Sequence, residues 1–168
     1  MAVDPAEQAA FIEGLRKKME EASAKNPVLA ELRRLGKAII DETRQRIAAG
    51  QSGFPLGGYI SADQQIVFTE TRSGEAKKAY KDLVSALSKL AIDGKIHAAA
   101  VGTLVEIAPP IGPVTHIKVH VEHVTGLAIE SSVPADEREL MAGVRGARGP
   151  ALVVSGGKVK PIIFAVPN

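Results

Sequence analysis

Polar and apolar residues alternate strictly through residues 116–122 of this chain, HIKVHVE. Ile117, Val119 and Val121 fall on one side, and His116, Lys118, His120 and Glu122 on the other. That period of two predicts a β-strand with one apolar and one polar face. Elsewhere the period is helical. Asp4-Pro5-Ala6-Glu7 is a helix start, with Asp4 to cap, Pro5 at the first turn and Glu7 placed for a capping box. It opens a segment reaching residue 23, with Phe11, Ile12, Leu15 and Met19 on one side. Asn26-Pro27 repeats the signal and predicts a second helix over 27–49, carrying Val28, Leu32, Leu35, Ile39, Ile40 and Ile47 at helical spacing and ended by Gly50. A third helix is expected from a Ser73 cap to residue 92, with an apolar stripe of Ala76, Tyr80, Leu83, Val84, Leu87, Leu90 and Ala91 and a stop at Gly94.

Between and after these helices the pattern predicts strands. Residues 59–61 and 66–69 flank the turn-prone Ala62-Asp63-Gln64-Gln65 and read as a hairpin. Residues 95–108 form a long strand rich in Ala and Val, and the proline-rich 109–113 turns it into the histidine strand. Closing that hairpin without a bulge sets Glu106 near His116 and Gly102 near His120. A further strand is expected over 127–133 and a short helix over 136–144. A closing hairpin of 151–155 and 158–166 follows, turned at Gly156-Gly157. The order predicts an α+β protein: a single antiparallel sheet of about six or seven strands, with the N-terminal helices and one amphipathic helix packed on one face. Residues 1–25 stand apart as an amphipathic helix free to contact a partner, and 26–168 form one domain.

Composition narrows the function. Hydrophobic residues make up 45% and charged residues 24%, the proportions of a soluble globular protein. There is no cysteine, which excludes disulfides, thiolate catalysis and zinc ribbons, and fits a cytoplasmic protein. The N-terminal residues lack the pattern of a signal peptide, and no apolar run approaches the roughly 18 residues of a membrane span. A net charge of +2, with four Phe, two Tyr and no Trp, argues against a nucleic-acid surface.

Three of the four histidines lie within residues 116–123, so candidate chemistry centres on His116, His120, Glu122 and His123. Imidazole and carboxylate suit a metal, whose ligands here would be His116, His120 and His123. Against it, residues 116 and 120 are about 13 Å apart along an extended strand. The simpler reading is an exposed polar sheet face on which His116 pairs with Glu106. A histidine general base is chemically open, but no nucleophile elbow surrounds Ser131, Ser132 or Thr125. Arg145 and Arg148, on a glycine-rich loop, are candidates for gripping an anion. No phosphate-binding or dinucleotide motif is present. No cofactor is called for.

Two segments carry a resemblance. Phe54-Pro55-Leu56-Gly57-Gly58-Tyr59-Ile60-Ser61-Ala62-Asp63 looks like the F-x-P-F-G-x-x-L-x-x-D-G opening of an uncharacterised family of small bacterial α+β proteins. Residues 117–128 are similar to that family's I-x-V-x-x-E-H-x-x-G-x-A segment, followed here by Pro134. The resemblance covers residues 30–134 and extends to the closing 160–164. It implies a shared α+β fold, carries no activity, and directs attention to Glu122, His123 and Gly126. Together these readings favour a small non-catalytic binding or protein-interaction module, acting on a protein partner or as a homo-oligomer. The alternative is a hydrolase-like or metal-dependent enzyme built on the histidine strand.

Overall fold

The computed structural model describes residues 5–51, 55–71, 74–107, 114–135 and 157–164. The helices are α1 (Pro5–Lys25), α2 (Pro27–Ala48) and α3 (Ala76–Ile92). The strands are β1 (Leu56–Ser61), β2 (Ile66–Glu70), β3 (Ile96–Ile107), β4 (Val114–His123), β5 (Ala128–Pro134) and the two-residue β6 (Gly157–Lys158). The strands form a single sheet in the order β2-β1-β3-β4-β5-β6, every neighbouring pair antiparallel. The expected α+β class with one antiparallel sheet is what forms. None of the described helices is long and apolar enough to cross a membrane.

The break between α1 and α2 follows from Asn26, which takes extended geometry (φ −134°) while its side chain accepts a hydrogen bond from Leu29 N at 3.3 Å. Pro27 then occupies the first helical turn, where its missing N–H costs nothing. Every α1 side chain described is exposed, whereas α2 sinks Leu32, Leu35 and Ile39 into the sheet. At α3 the structure differs from the Ser73 cap, because the capping position is Glu75. Gly94, at φ +68°, ends the helix as expected.

The helices occupy both faces of the sheet, not the single face the sequence pattern suggested. Leu32, Leu35 and Ile39 of α2 cluster with Leu56, Ile60, Ala98, Ala100, Ile117, Val119 and Val121. Leu83 and Leu87 of α3 cluster with Ile96, Ala99, Val101 and, from the far end of the chain, Ile163. The reason lies in β3. Ala98-Ala99-Ala100-Val101 is an unbroken apolar run, the mark of a strand covered on both sides. Small residues let α2 sit close: a Cβ added to Gly102 would lie 2.6 Å from Ile39 Cγ2.

Two further expectations change. The β3–β4 register pairs Val105 with His116, Glu106 with Thr115 and Val101 with His120, one residue away from the pairing read from the turn. Of the closing strand expected over 158–166, the described residues form only Gly157–Lys158, and residues 162–164 bend instead. Pro161, three positions beyond, lacks the N–H a ladder requires. The helix expected over 136–144, the strand over 151–155, and Arg145 and Arg148 lie outside the described residues.

Candidate functional site

On the polar face of β4 Lys118 is exposed, but His116, His120 and Glu122 are covered. Glu122 is fully buried, and His116 and His120 retain only 3% and 6% of their exposure. A bare carboxylate at such depth would cost several kcal/mol, so it must be paired and hydrogen-bonded. The bend at residues 162–164 supplies what is needed. Ile162 N donates to Glu122 Oε2 at 2.7 Å, Phe164 N donates to Oε1 at 2.9 Å, and Ile163 N is shared between both oxygens at 2.9 Å. Three successive amides converging on one anion make a backbone nest, here filled by the chain's own carboxylate. His120 Nε2 donates a fourth bond at 2.5 Å.

Burial by itself pushes the Glu122 carboxyl up. The bonds from His120 and from the Phe164, Ile162 and Ile163 amides outweigh it and hold the group below its ordinary value. The polar network continues outward on the same face. His120 Nδ1 lies 3.6 Å from Glu130 Oε2, and Glu130 Oε1 pairs with Lys118 Nζ at 2.9 Å. Tyr80, reaching over from α3, has its hydroxyl pKa raised by burial first and then by Glu130 and Glu122, against the lowering pull of Lys118.

His116 lies toward the other end of β4. Its Nδ1 is 3.1 Å from Ser132 Oγ on β5, and this bond replaces the expected pairing with Glu106.

His123 belongs to a separate group on the opposite face. It opposes Ala98 in the register, and Ala98 packs under α2. The β4–β5 hairpin turns at Gly126 (φ +92°), and Thr125 folds back so that its N–H donates to His123 Nδ1 at 3.2 Å and its Oγ1 lies 2.9 Å from the same atom. Nδ1 is therefore an acceptor, and in the neutral ring the proton sits on Nε2, which points at Glu31 Oε2 of α2 at 3.4 Å. His97 Nε2 approaches the same oxygen, also at 3.4 Å, with its ring edge-on to His123 at 5.9 Å between centroids. A register shift between Ile60 and Ser61 brings His97 to that side. His123 is depressed below the usual imidazole value, chiefly by burial and further by His97, with Glu31 opposing.

The four sequence candidates are thus divided. His120 and Glu122 join; His116 stands apart with Ser132; His123 faces α2. Among the described residues no group of three His, Asp or Glu side chains is placed to hold a metal ion. The partners that sequence reasoning missed are Glu31 and the amides of 162–164. No local pattern signals either, because each lies far in the chain from residues 116–123. Comparison with protein-family models, with curated proteins and with solved structures finds no match to this chain.

Proposed function

We propose that this chain is a small non-catalytic binding module that works through protein surfaces, its own second copy foremost. One observation carries the reading. Both oxygens of Glu122, the most buried acid of the histidine strand, are taken up by three backbone amides and His120. A carboxylate so occupied has no lone pair directed at a substrate and no proton to exchange with one. Its work is to hold residues 162–164 on the sheet.

The surface offers contact instead. On α1, Phe11 and Leu15 are 66% and 44% exposed, and on β2 Val67 and Phe68 are 36% and 37% exposed. Scattered apolar residues are ordinary on a monomer, but these lie on a helix whose described side chains are all exposed and on an edge strand.

Sedimentation velocity over a wide concentration range tests self-association directly. A panel of ester and phosphoester substrates, run with the wild-type chain and with His120→Ala and His123→Ala variants, tests the enzymatic alternative. The module reading expects reversible self-association and no turnover. Turnover that disappears in either histidine variant overturns it, as does near-stoichiometric metal in the natively purified protein that is lost in a His120→Ala, His123→Ala double variant.

A further inference from the structure

Resting on the reading of the chain as a self-associating module, we propose that the outer edge of β2 is where two copies meet. The two β2 strands pair antiparallel about a two-fold axis at Phe68 and join both sheets into one.

The backbone pattern sets this up. Ser61 N donates to Gln65 O at 2.9 Å, closing the β1–β2 hairpin. In an antiparallel ladder such bonded pairs alternate with unbonded ones. Tyr59↔Val67 and Gly57↔Thr69 are therefore bonded pairs, and the N–H and C=O groups of Ile66, Phe68 and Glu70 point away from β1. Among the described residues no strand pairs with that edge. Edges left this way are usually blunted by lysine, proline, a bulge or extreme shortness. At the other end of the sheet, among the described residues, β6 is only Gly157–Lys158. β2, with sequence Ile66-Val67-Phe68-Thr69-Glu70, has none of these devices.

The occupant that matches this edge is a second copy of itself. The outward-facing residues are spaced evenly around Phe68, so a two-fold turn there sets Phe68 against its own image and Ile66 against Glu70 of the second copy. Every outward N–H then meets an outward C=O over the whole strand, as an isologous contact requires. The charges agree. Glu70 is the only charged residue of β2, and the turn moves it away from its own image toward the other chain's hairpin. There Arg34 of α2 is held over the turn by its bond to Gln64 O at 3.3 Å. Glu70 is already fixed on its own chain by Arg46 Nη1 at 2.5 Å. The two Phe68 rings add an aromatic cross-strand pair on the α2 side. A contact of five residues per chain is small against the roughly 1,000 Å² of a stable interface, so the association is reversible and concentration-dependent.

Sedimentation velocity on the full chain, repeated with Phe68→Lys, is the test. Lysine there sets like charges face to face on the axis, so a dimer present in the wild type is lost while the far-UV circular dichroism is unchanged. A Phe11→Lys, Leu15→Lys variant of α1 keeps the dimer. A dimer that survives Phe68→Lys, or that only the α1 variant abolishes, overturns the edge pairing and leaves self-association standing. A wild-type chain that stays monomeric at every concentration overturns both.

Should Phe68→Lys fail to fold, single cysteines decide, since the chain has none of its own. Under mild oxidation with diamide, Phe68→Cys forms the disulfide-linked dimer. Val67→Cys does not, because it opposes Thr69 of the second copy and lies on the other face. Equal cross-linking of the two, or none in either, overturns the proposal.

Discussion

Replacing Glu122 by glutamine tests the central feature of the fold with almost no change of shape. The carboxylate has four donors: the amides of Ile162, Ile163 and Phe164, and His120 Nε2. Glutamine has one acceptor oxygen. Placed at the Oε2 position, that oxygen keeps Ile162, Ile163 and His120, but the new NH2 confronts the Phe164 N–H. Placed at Oε1, it keeps Phe164 and Ile163 and opposes Ile162, while His120 can carry its proton on Nδ1, facing Glu130, and accept from the NH2 at Nε2. Either orientation leaves two buried donors facing each other at about 1–3 kcal/mol each. The bonds that remain lose their charge assistance, at about 1 kcal/mol apiece. Allowing for local relaxation, the total is about 3–5 kcal/mol, a large share of the 5–15 kcal/mol typical of a domain.

Urea unfolding followed by far-UV circular dichroism reads the loss, and amide hydrogen exchange at 162–164 shows where it falls. The pH dependence supplies the sign. Because the folded carboxyl lies below its ordinary 4.5, its contribution is complete above that pH and is lost as pH falls through the depressed folded value. The glutamine variant lacks that part of the acid limb. An unchanged urea midpoint, or full protection of the Ile162, Ile163 and Phe164 amides in the variant, would refute the reasoning.

Three other outcomes are expected. His123 titrates below its usual 6.5, so its neutral form stabilises the fold fully above that pH and the contribution is lost as pH falls through the folded value; an NMR titration of the ring with a midpoint above 6.5 would contradict this. Gly102→Ala puts a methyl 2.6 Å from Ile39 Cγ2, and overpacking of this kind costs about 1–3 kcal/mol, read as a lower thermal midpoint; an unchanged midpoint means α2 is not seated as described. Thr43 is buried with its Oγ1 unbonded among the described residues, so Thr43→Val removes a desolvated hydroxyl at constant shape. A gain of about 1 kcal/mol in chemical denaturation is expected, and a loss would reveal a hydrogen bond at that hydroxyl.

Helices α1, α2 and α3, the order of β1 to β5 along the chain and the alternation of β4 were legible because each rests on local periodicity. What escaped depended on contacts distant in sequence. The polar side of β4 reads as solvent-facing when only its own residues are considered. Glu122 is buried there because residues 162–164, packed with α3, fold over it, and nothing within 115–124 announces them. The register moved by one because the proline-rich connection left the pairing of Glu106 and His116 undetermined. The two-sided burial of β3 was legible in principle, in the unbroken Ala98–Val101 run, but such a run reads equally as a strand of small residues beside one helix. His123 was singled out by its glycine neighbour; its partner Glu31 lies ninety-odd positions earlier, on a helix whose acids otherwise look like solvated charges.

The amides that neutralise Glu122 come from residues forty to forty-two positions later in the chain. Domains made from the N-terminus onward acquire their parts in order, at roughly 5–20 residues per second. For the seconds between synthesis of β4 and release of residue 164, a carboxylate destined for the interior has only His120 beside it, and the α3 face cannot close without burying an inadequately compensated charge. Residues 162–164 therefore complete the burial of that face: a chain cut short before 162 carries every described strand and still lacks the amides that compensate Glu122.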